Sequence, residues 1–501
     1  MLFEKDAIYY AEKVKAKELT VSQLVEAAIE NIKEYNPVLQ AVTHLQAEEA
    51  RKQAEEMDEK LFSMKEGEIN QLPVFFGVPI LLKDLGQEEA GQPASNGSAL
   101  MANYRAEKTS HFTQQVIANG FVIIGRTNVP EFGFKNQSDS AFTGSVSTPL
   151  DLSRNAGGSS GGAAAALKAG LVPIVTASDG GGSIRIPASF NGLIGLKPTR
   201  GRMPVGPDSY RGWQGASIDF ALTKSVRDSW AMLKAMQVEQ YEAPFFLPKI
   251  EEDELGSLPK KLKFAYLKES PIGGSVSTEA QKTVNLAMEK LKELGHEIIE
   301  DAPKTDGIHA MESYYIVNGV ETAAMMVGIE EAMGEKITQE KIEPMSWALY
   351  RSGLEVTAIE YSQILSFWDQ LTVITEEFFE EYDALILPAT NGPAFKEEQF
   401  QLSNELVEQL KNMDDYTKEE QTDLIWTMFE DSLNYTPFTQ QQNLTGQPAI
   451  SLPLYLNTEG LPMGTQIWTR KGNERLLLQI ASFFEETGLI QQEIIKIPRK
   501  N

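Results

Sequence analysis

The chain has 501 residues, long enough for a large buried core, and its 42% hydrophobic and 9% aromatic content is that of a globular protein, not a disordered one. A net charge of -26, from 71 acidic and 45 basic residues, argues against a nucleic-acid footprint and against docking on anionic lipid; it reads as a solubility feature. The absence of cysteine excludes disulfides, thiolate nucleophiles and Cys-ligated zinc.

The start, MLFEKDAIYYAEKVK, is charged and amphipathic and lacks the apolar core of a secretion signal. No apolar run approaches the roughly 18 residues of a spanning helix, so a cytoplasmic protein is expected. Residues 4–64 read as helical throughout: Thr20 or Ser22 can cap a helix whose Leu24, Val25, Ala28 and Ile32 share one face, and Gln46 to Lys65 continues in Glu, Lys and Ala. From residue 74 the texture turns to buried strands: VFFGVPILLKDL ending in Lys83-Asp84, FVIIGRTN (121–128), LVPIVTASD (171–179) and FNGLIGLKPT (190–199). Helical patterns at His111–Asn119 and Gly162–Lys168 lie between them. This alternation predicts an α/β sheet covered on both faces. Residues 240–262, rich in Pro and acid, read as a surface connector. KFAYLKE (263–269) and HEIIED (296–301) bracket a helix from Ser277 to Leu294. Residues 308–434 are mostly helical and acidic, broken by ALILPAT (384–390). AISLPLYL (449–456) and MGTQIWT (463–469) close the sheet before a last helix, Glu474–Glu486.

The densest glycine-serine run is NAGGSSGGAAAALKAG (155–170). Its Gly157 to Gly162 spacing matches a phosphate-binding loop, but Ala163 stands where that loop needs lysine. It also contains G-x-S-x-G twice, but polar PLDLSRNA precedes it instead of the apolar strand a nucleophile elbow requires. A Ser-His-Asp triad would have to draw on His296 or His309, neither in a distinctive motif. A plain linker fails on AAAALKAG, a strong helix former ending in Gly170. The run is a loop feeding a helix N-terminus, where backbone N–H groups point outward. Downstream, Asp179-Gly-Gly-Gly-Ser183 follows an apolar strand. Consecutive glycines let N–H groups converge, as an oxyanion hole needs, and Ser183 at the end of that nest suits a nucleophile. Without a suitable histidine, lysine is the candidate base. Lys83 ends an apolar run where desolvation can neutralise it, or it is a strand-end lysine reaching for water.

Together GVPILLKD around Lys83, GGSSGG at 157–162 and SDGGGSIRIPAS at 178–189 resemble the amidase signature family of serine hydrolases. GRTNVPE (125–131), GLKPTRGR (195–202) and NLTGQPAISLP (443–453) extend the resemblance to nearly the full length. It implies an α/β amidase signature fold, a central mixed β-sheet with helices on both faces, in one domain over 1–501. Within it, 1–70 is an N-terminal helical region, 71–235 the motif-bearing core, 236–262 a connector, and 263–501 the part completing sheet and pocket. It further implies a Ser-cisSer-Lys triad: Ser183 the nucleophile, Ser159 the cis-serine relaying the proton, and Lys83 the base. An oxyanion hole of N–H groups from Gly180, Gly181, Gly182 and Ser183 follows, supported by Ser160, Asp179 and Arg185, with substrate contact as Arg185's alternative role. The reaction is acyl transfer with no metal or cofactor. Gly180 departs from the apolar or β-branched residue many members carry.

A small-molecule amide is the expected substrate, and a monomer or homodimer the expected state. The family also contains the glutaminase subunit of tRNA-dependent amidotransferases, which places an aspartate just before Asn-Leu-x-Gly. Here that position is about Thr436, which favours a stand-alone amidase resembling 6-aminohexanoate cyclic dimer hydrolases. A catalytically inactive binding protein of the same fold is the other alternative. Asn96, Tyr314, Tyr315, Asn318, Trp426, Phe429, Phe438 and Gln441 are candidate pocket residues, each aromatic equally open to a plain core role. The acidic helices at 396–432 are expected to present a solvated face, with a lid as the alternative.

Overall fold

The computed structural model describes residues 2–490. Helix α1 (Ala7–Lys15) leads to α2 (Val21–Leu39), where Thr20 and Gln23 form a reciprocal capping box that satisfies the first orphan N–H groups. The predicted helical run is not continuous. Gln40 adopts φ 52°, ending α2, and Val42–Leu45 forms strand β1 before helix α3 (Ala47–Ser63). The cause is tertiary: Val42 and Leu45 pair with Thr127 and Gly125 across the sheet, which overrides local propensity.

After the single turn α4 (Glu66–Ile69) come β2 (Pro79–Lys83), α5 (His111–Ala118) and β3 (Val122–Thr127). Two small hairpins follow, β4 (Asp139–Ser140) with β5 (Gly144–Ser145) and β6 (Ser147–Thr148) with β7 (Asp151–Asn155). The motif region is α6 (Gly161–Lys168), β8 (Ile174–Asp179), α7 (Arg185–Asn191) and β9 (Ile194–Lys197). Then come β10 (Ile218–Thr223), a strand the sequence pattern had not singled out, and α8 (Val226–Met236).

The second half runs β11 (Lys263–Tyr266), α9 (Thr278–Glu293), β12 (Glu297–Glu300), α10 (Gly307–Met333), α11 (Pro344–Leu354) and α12 (Ala358–Glu381). It continues with β13 (Ala384–Pro388), α13 (Asn404–Lys411), α14 (Lys418–Tyr435), the short α15 (Gln441–Thr445), β14 (Ala449–Leu456), β15 (Pro462–Trp468) and α16 (Glu474–Glu486).

Among the described residues, eleven strands join in one mixed sheet in the order β1-β3-β2-β8-β10-β9-β14-β15-β13-β11-β12. Parallel pairing is confined to β3-β2-β8 near one end and β13-β11-β12 at the other; antiparallel strands fill the middle. Helix α6 is buried along its whole length. Its glycines and alanines let it lie close against the sheet: a side chain at Gly162 would collide with the backbone of Asn128 and Ala41. Gly170, at φ 71°, then takes the left-handed turn that stops the helix. The helices α10, α11, α13 and α14 form a separate apolar cluster around Tyr315, Leu349, Met413 and Phe429 that roofs one side of the site. The acidic segment at 396–432 is not simply a solvated face: Phe429 and Ser432 of α14, with Leu433 and Thr436 just beyond that segment, line the cavity described below. No helix among the described residues is long and apolar enough to cross a membrane.

Candidate active site

Lys83 is the last residue of β2 and is fully buried. Its Nζ is hydrogen-bonded to Ser159 Oγ at 2.8 Å and to Ser178 Oγ at 2.9 Å, and donates to the Ser178 carbonyl at 3.3 Å. Its backbone N–H donates to Gln87 Oε1 at 2.9 Å, which fixes the lysine from behind. Burial pulls the ammonium pKa down to about 7, against the opposing pull of Asp219 and Asp179. A neutral amine has two N–H groups and one lone pair. With the Ser178 carbonyl able only to accept, one of the two hydroxyls must then donate to Nζ.

Ser159 lies in the loop between β7 and α6, and the Gly158–Ser159 peptide bond is cis. Ser160 is the N-cap residue of α6 but makes no capping bond there. Its Oγ instead donates to the Ser178 carbonyl at 3.2 Å and accepts from the Ser178 N–H at 3.4 Å, tying the loop to the end of β8.

The loop Asp179–Ser183 wraps around its own first side chain. Asp179 Oδ1 accepts from the Gly182 N–H at 2.7 Å and Oδ2 from the Ile184 N–H at 3.1 Å. Arg185 grips the same carboxylate through Nε (2.9 Å) and Nη2 (2.8 Å). Burial alone would raise the Asp179 pKa, but the guanidinium outweighs it and holds the carboxyl well below the usual range. The remaining Arg185 N–H groups go to Gln442, Gln466 and Asn443 at 2.7 to 2.9 Å. All five donors are thereby used, which corrects the alternative of Arg185 as a substrate contact. The loop carbonyls are held too: Gly180 accepts from the Tyr314 hydroxyl at 3.0 Å and Gly181 from Thr439 Oγ1 at 2.7 Å.

Three N–H groups of the loop, those of Gly180, Gly181 and Ser183, have no acceptor among the described residues. The Gly182 N–H is committed to Asp179. That reduces the expected four converging donors to three, because the carboxylate that shapes the turn takes one of them.

Ser183, Ser159 and Ser178 open on one cavity of about 520 Å³, together with Gly180 and Gly181. Asn96, Tyr314, Tyr315, Asn318 and Phe429 also line it. Three expected pocket residues lie elsewhere. Trp426, a turn before Phe429 on α14, faces a second cavity of about 620 Å³. Phe438 is buried in the core with Phe379 and Trp468. Gln441 accepts from Thr305 Oγ1 at 3.2 Å, outside both cavities. The short α15 turns the chain away after Gln440, so Thr439 and Gln440, not their neighbours, meet the site.

Two groups were missed. Ser178, next to Asp179, holds Lys83 with both its hydroxyl and its carbonyl. Asp219 lies on β10 and lines the cavity; burial raises its pKa to about 7. A lone carboxylate within the otherwise apolar run IDFALT was the available signal.

The family model described as Amidase matches residues 23–478. The chain belongs to the amidase family. It is 35% identical over 99% of its length to a lipoamidase of Enterococcus faecalis, though it spans only 65% of that longer protein. To the 6-aminohexanoate-cyclic-dimer hydrolase of Paenarthrobacter ureafaciens it is 31% identical, over 96% of this chain and 94% of the other. A solved structure of 6-aminohexanoate cyclic dimer hydrolase superposes with a TM-score of 0.87 at 30% identity, covering 97% of each chain. A bacterial aryl acylamidase shares the fold, with a TM-score of 0.84 at 22% identity over 98% of both chains. This amidase is therefore an amide-hydrolysing enzyme built on the amidase signature fold.

Its glycine loop makes opposite demands at adjacent positions. A Cβ at Gly181 would collide with the Tyr314 hydroxyl, whereas one at Gly180 meets nothing nearer than Ser217 at 3.8 Å. Gly181→Ala is expected to cut kcat/KM by about 10²-fold or more by displacing an anchored loop, the scale of losing one oxyanion donor. Gly180→Ala is expected to stay within about threefold, since the wall there is open. Parallel kinetics on the two variants check this.

Proposed function

We propose that the enzyme hydrolyses a carboxamide through Ser183 as nucleophile, Ser159 as proton relay and Lys83 as base, by way of an acyl-enzyme. The observation that carries this reading is the 2.8 Å contact between the buried Lys83 Nζ and Ser159 Oγ, on the cavity that Ser183 also lines. Ser183 Oγ attacks the carbonyl carbon while its proton passes to Ser159 Oγ and the Ser159 proton to neutral Lys83. The N–H groups of Gly180, Gly181 and Ser183 receive the developing oxyanion. Collapse of the tetrahedral intermediate returns a proton by the same relay to the leaving nitrogen, and water then repeats the sequence on the ester to release the carboxylate.

Aromatic walls supplied by Phe112, Phe132, Phe134, Trp213 and Phe245 suit an apolar chain or ring next to the scissile bond. The similarity to a lipoamidase and to a cyclic-dimer hydrolase supports substrates of that kind, extended aliphatic amides. The glutaminase alternative is disfavoured at Thr436, which lines the cavity but offers only a hydroxyl, already accepting from Asn136 Nδ2 at 2.9 Å.

A fluorophosphonate probe tests the assignment. An adduct mapped to Ser183 by peptide mass spectrometry is expected; an adduct on Ser160 would overturn the serine assignment, and no adduct at all would favour a binding protein. The pH profile follows from Lys83. The base is neutral above its pKa of about 7 and protonated below. With a neutral amide, kcat/KM is expected to be flat above that value and to fall about tenfold per pH unit on the acid side.

A further inference from the structure

Asp219 stands in an unusual relation to the base. Its strand partner, directly across the β8–β10 ladder, is Ser178, whose hydroxyl and carbonyl hold Lys83 Nζ. Asp219 Oδ1 accepts from Gln87 Nε2 at 2.8 Å, and the other end of that amide, Gln87 Oε1, accepts from the Lys83 backbone N–H at 2.9 Å. Gln87 Nε2 also donates to the Ala177 carbonyl at 3.2 Å, and its Oε1 accepts from Thr176. One glutamine thus clamps Lys83, β8 and the Asp219 carboxylate together, and Asp219 pairs across the ladder with one of the two serines that hold the amine.

The charges around the amine make Asp219 the exceptional one. Two carboxylates act on Lys83, Asp219 from β10 and Asp179 from β8. Asp179 is matched by the Arg185 guanidinium on α7, with Lys197 of β9 also acting on it. Asp219 makes no salt bridge among the described residues. Its other charged neighbour is Glu88, in the loop after β2, which is itself offset by Arg126 on β3.

Resting on the triad reading above, we propose that Asp219 is a positioning residue for Lys83. Its carboxylate is the uncompensated counter-charge that sets where Lys83 gives up its proton, and Gln87 fixes it in that place. Asp219 makes no hydrogen bond to Nζ among the described residues, so it acts on the base through space. Burial raises the pKa of the Asp219 carboxyl, while the Gln87 hydrogen bond and then the Lys83 charge oppose that rise.

The test is the acid limb of kcat/KM on a neutral aliphatic amide, measured with wild type, Asp219→Asn and Asp219→Glu. Removing the negative charge makes the protonated amine less favourable. Asp219→Asn is therefore expected to move the midpoint to lower pH by about one unit, a tenfold change in the proton affinity of the base. Asp219→Glu should restore it to within about half a unit. Gln87→Met, which removes the donor that favours the ionised carboxylate, should shift it in the same direction and serves where Asp219→Asn does not fold. A midpoint that stays put, with the rate alone reduced, overturns the proposal and leaves Asp219 a structural residue. The pH dependence of fluorophosphonate labelling gives the same midpoint when turnover is too slow to follow. If the wild-type enzyme has no acid limb at all, or labels elsewhere than Ser183, the triad assignment fails first and the proposal falls with it.

Discussion

Replacing Ser183 by alanine is expected to remove amide turnover by at least about 10⁴-fold, the order lost when a catalytic nucleophile is deleted. The substitution takes one oxygen from a cavity wall, so stability should change by less than about 0.5 kcal/mol. Lys83→Met is the companion. It keeps the length of the side chain and removes the base, so turnover should fall by several orders of magnitude. Its effect on folding is expected to be small or favourable, because wild-type Lys83 is an amine fully removed from water whose desolvation already depresses its pKa to about 7. Turnover against an enzyme-free blank, set beside thermal melts, separates loss of chemistry from loss of fold. Appreciable activity in either variant would sink the triad.

Arg185→Met is expected to be the most destabilising change, at about 3–5 kcal/mol. It leaves the fully buried Asp179 carboxylate without its cation, and strands Gln442, Gln466 and Asn443 as well. The double variant with Asp179→Asn should recover part of the loss, since the uncompensated charge is gone. The sign of the pH effect follows from the depressed Asp179 pKa. The ion pair stabilises the wild type above the usual carboxylate range, and this contribution is lost as pH falls through the lower folded-state value. Urea midpoints of the two single variants and the double variant, at neutral and acid pH, measure both effects.

Much of the architecture was legible because the motifs sit where sequence periodicity changes. PILLK, VIIGRT and IVTASD read as buried strands, and the polyalanine run as a helix, since an interior on both faces leaves no polar alternation to confuse them. The strand Val42–Leu45 was hidden because only pairing with β3, over 80 residues away, makes it one. Phe438 looked like a pocket wall and is core, while Thr439 beside it anchors the Gly181 carbonyl. One residue of register decides between those fates, and register is a property of the folded contact. The commitment of the Gly182 N–H was likewise invisible: a row of glycines announces available donors, not which of them a neighbouring carboxylate will claim.

The five bonds of Arg185 have a temporal consequence. Its partners at 442, 443 and 466 lie more than 250 residues downstream. During synthesis the loop Asp179–Ser183 is made early, yet three of the five Arg185 bonds form only when α15 and β15 have emerged. A nascent chain therefore carries Lys83, Ser159 and Ser183 before the partners that lock Arg185 from outside the loop exist. The packing that fixes Arg185 is thus completed only after segments far downstream have folded.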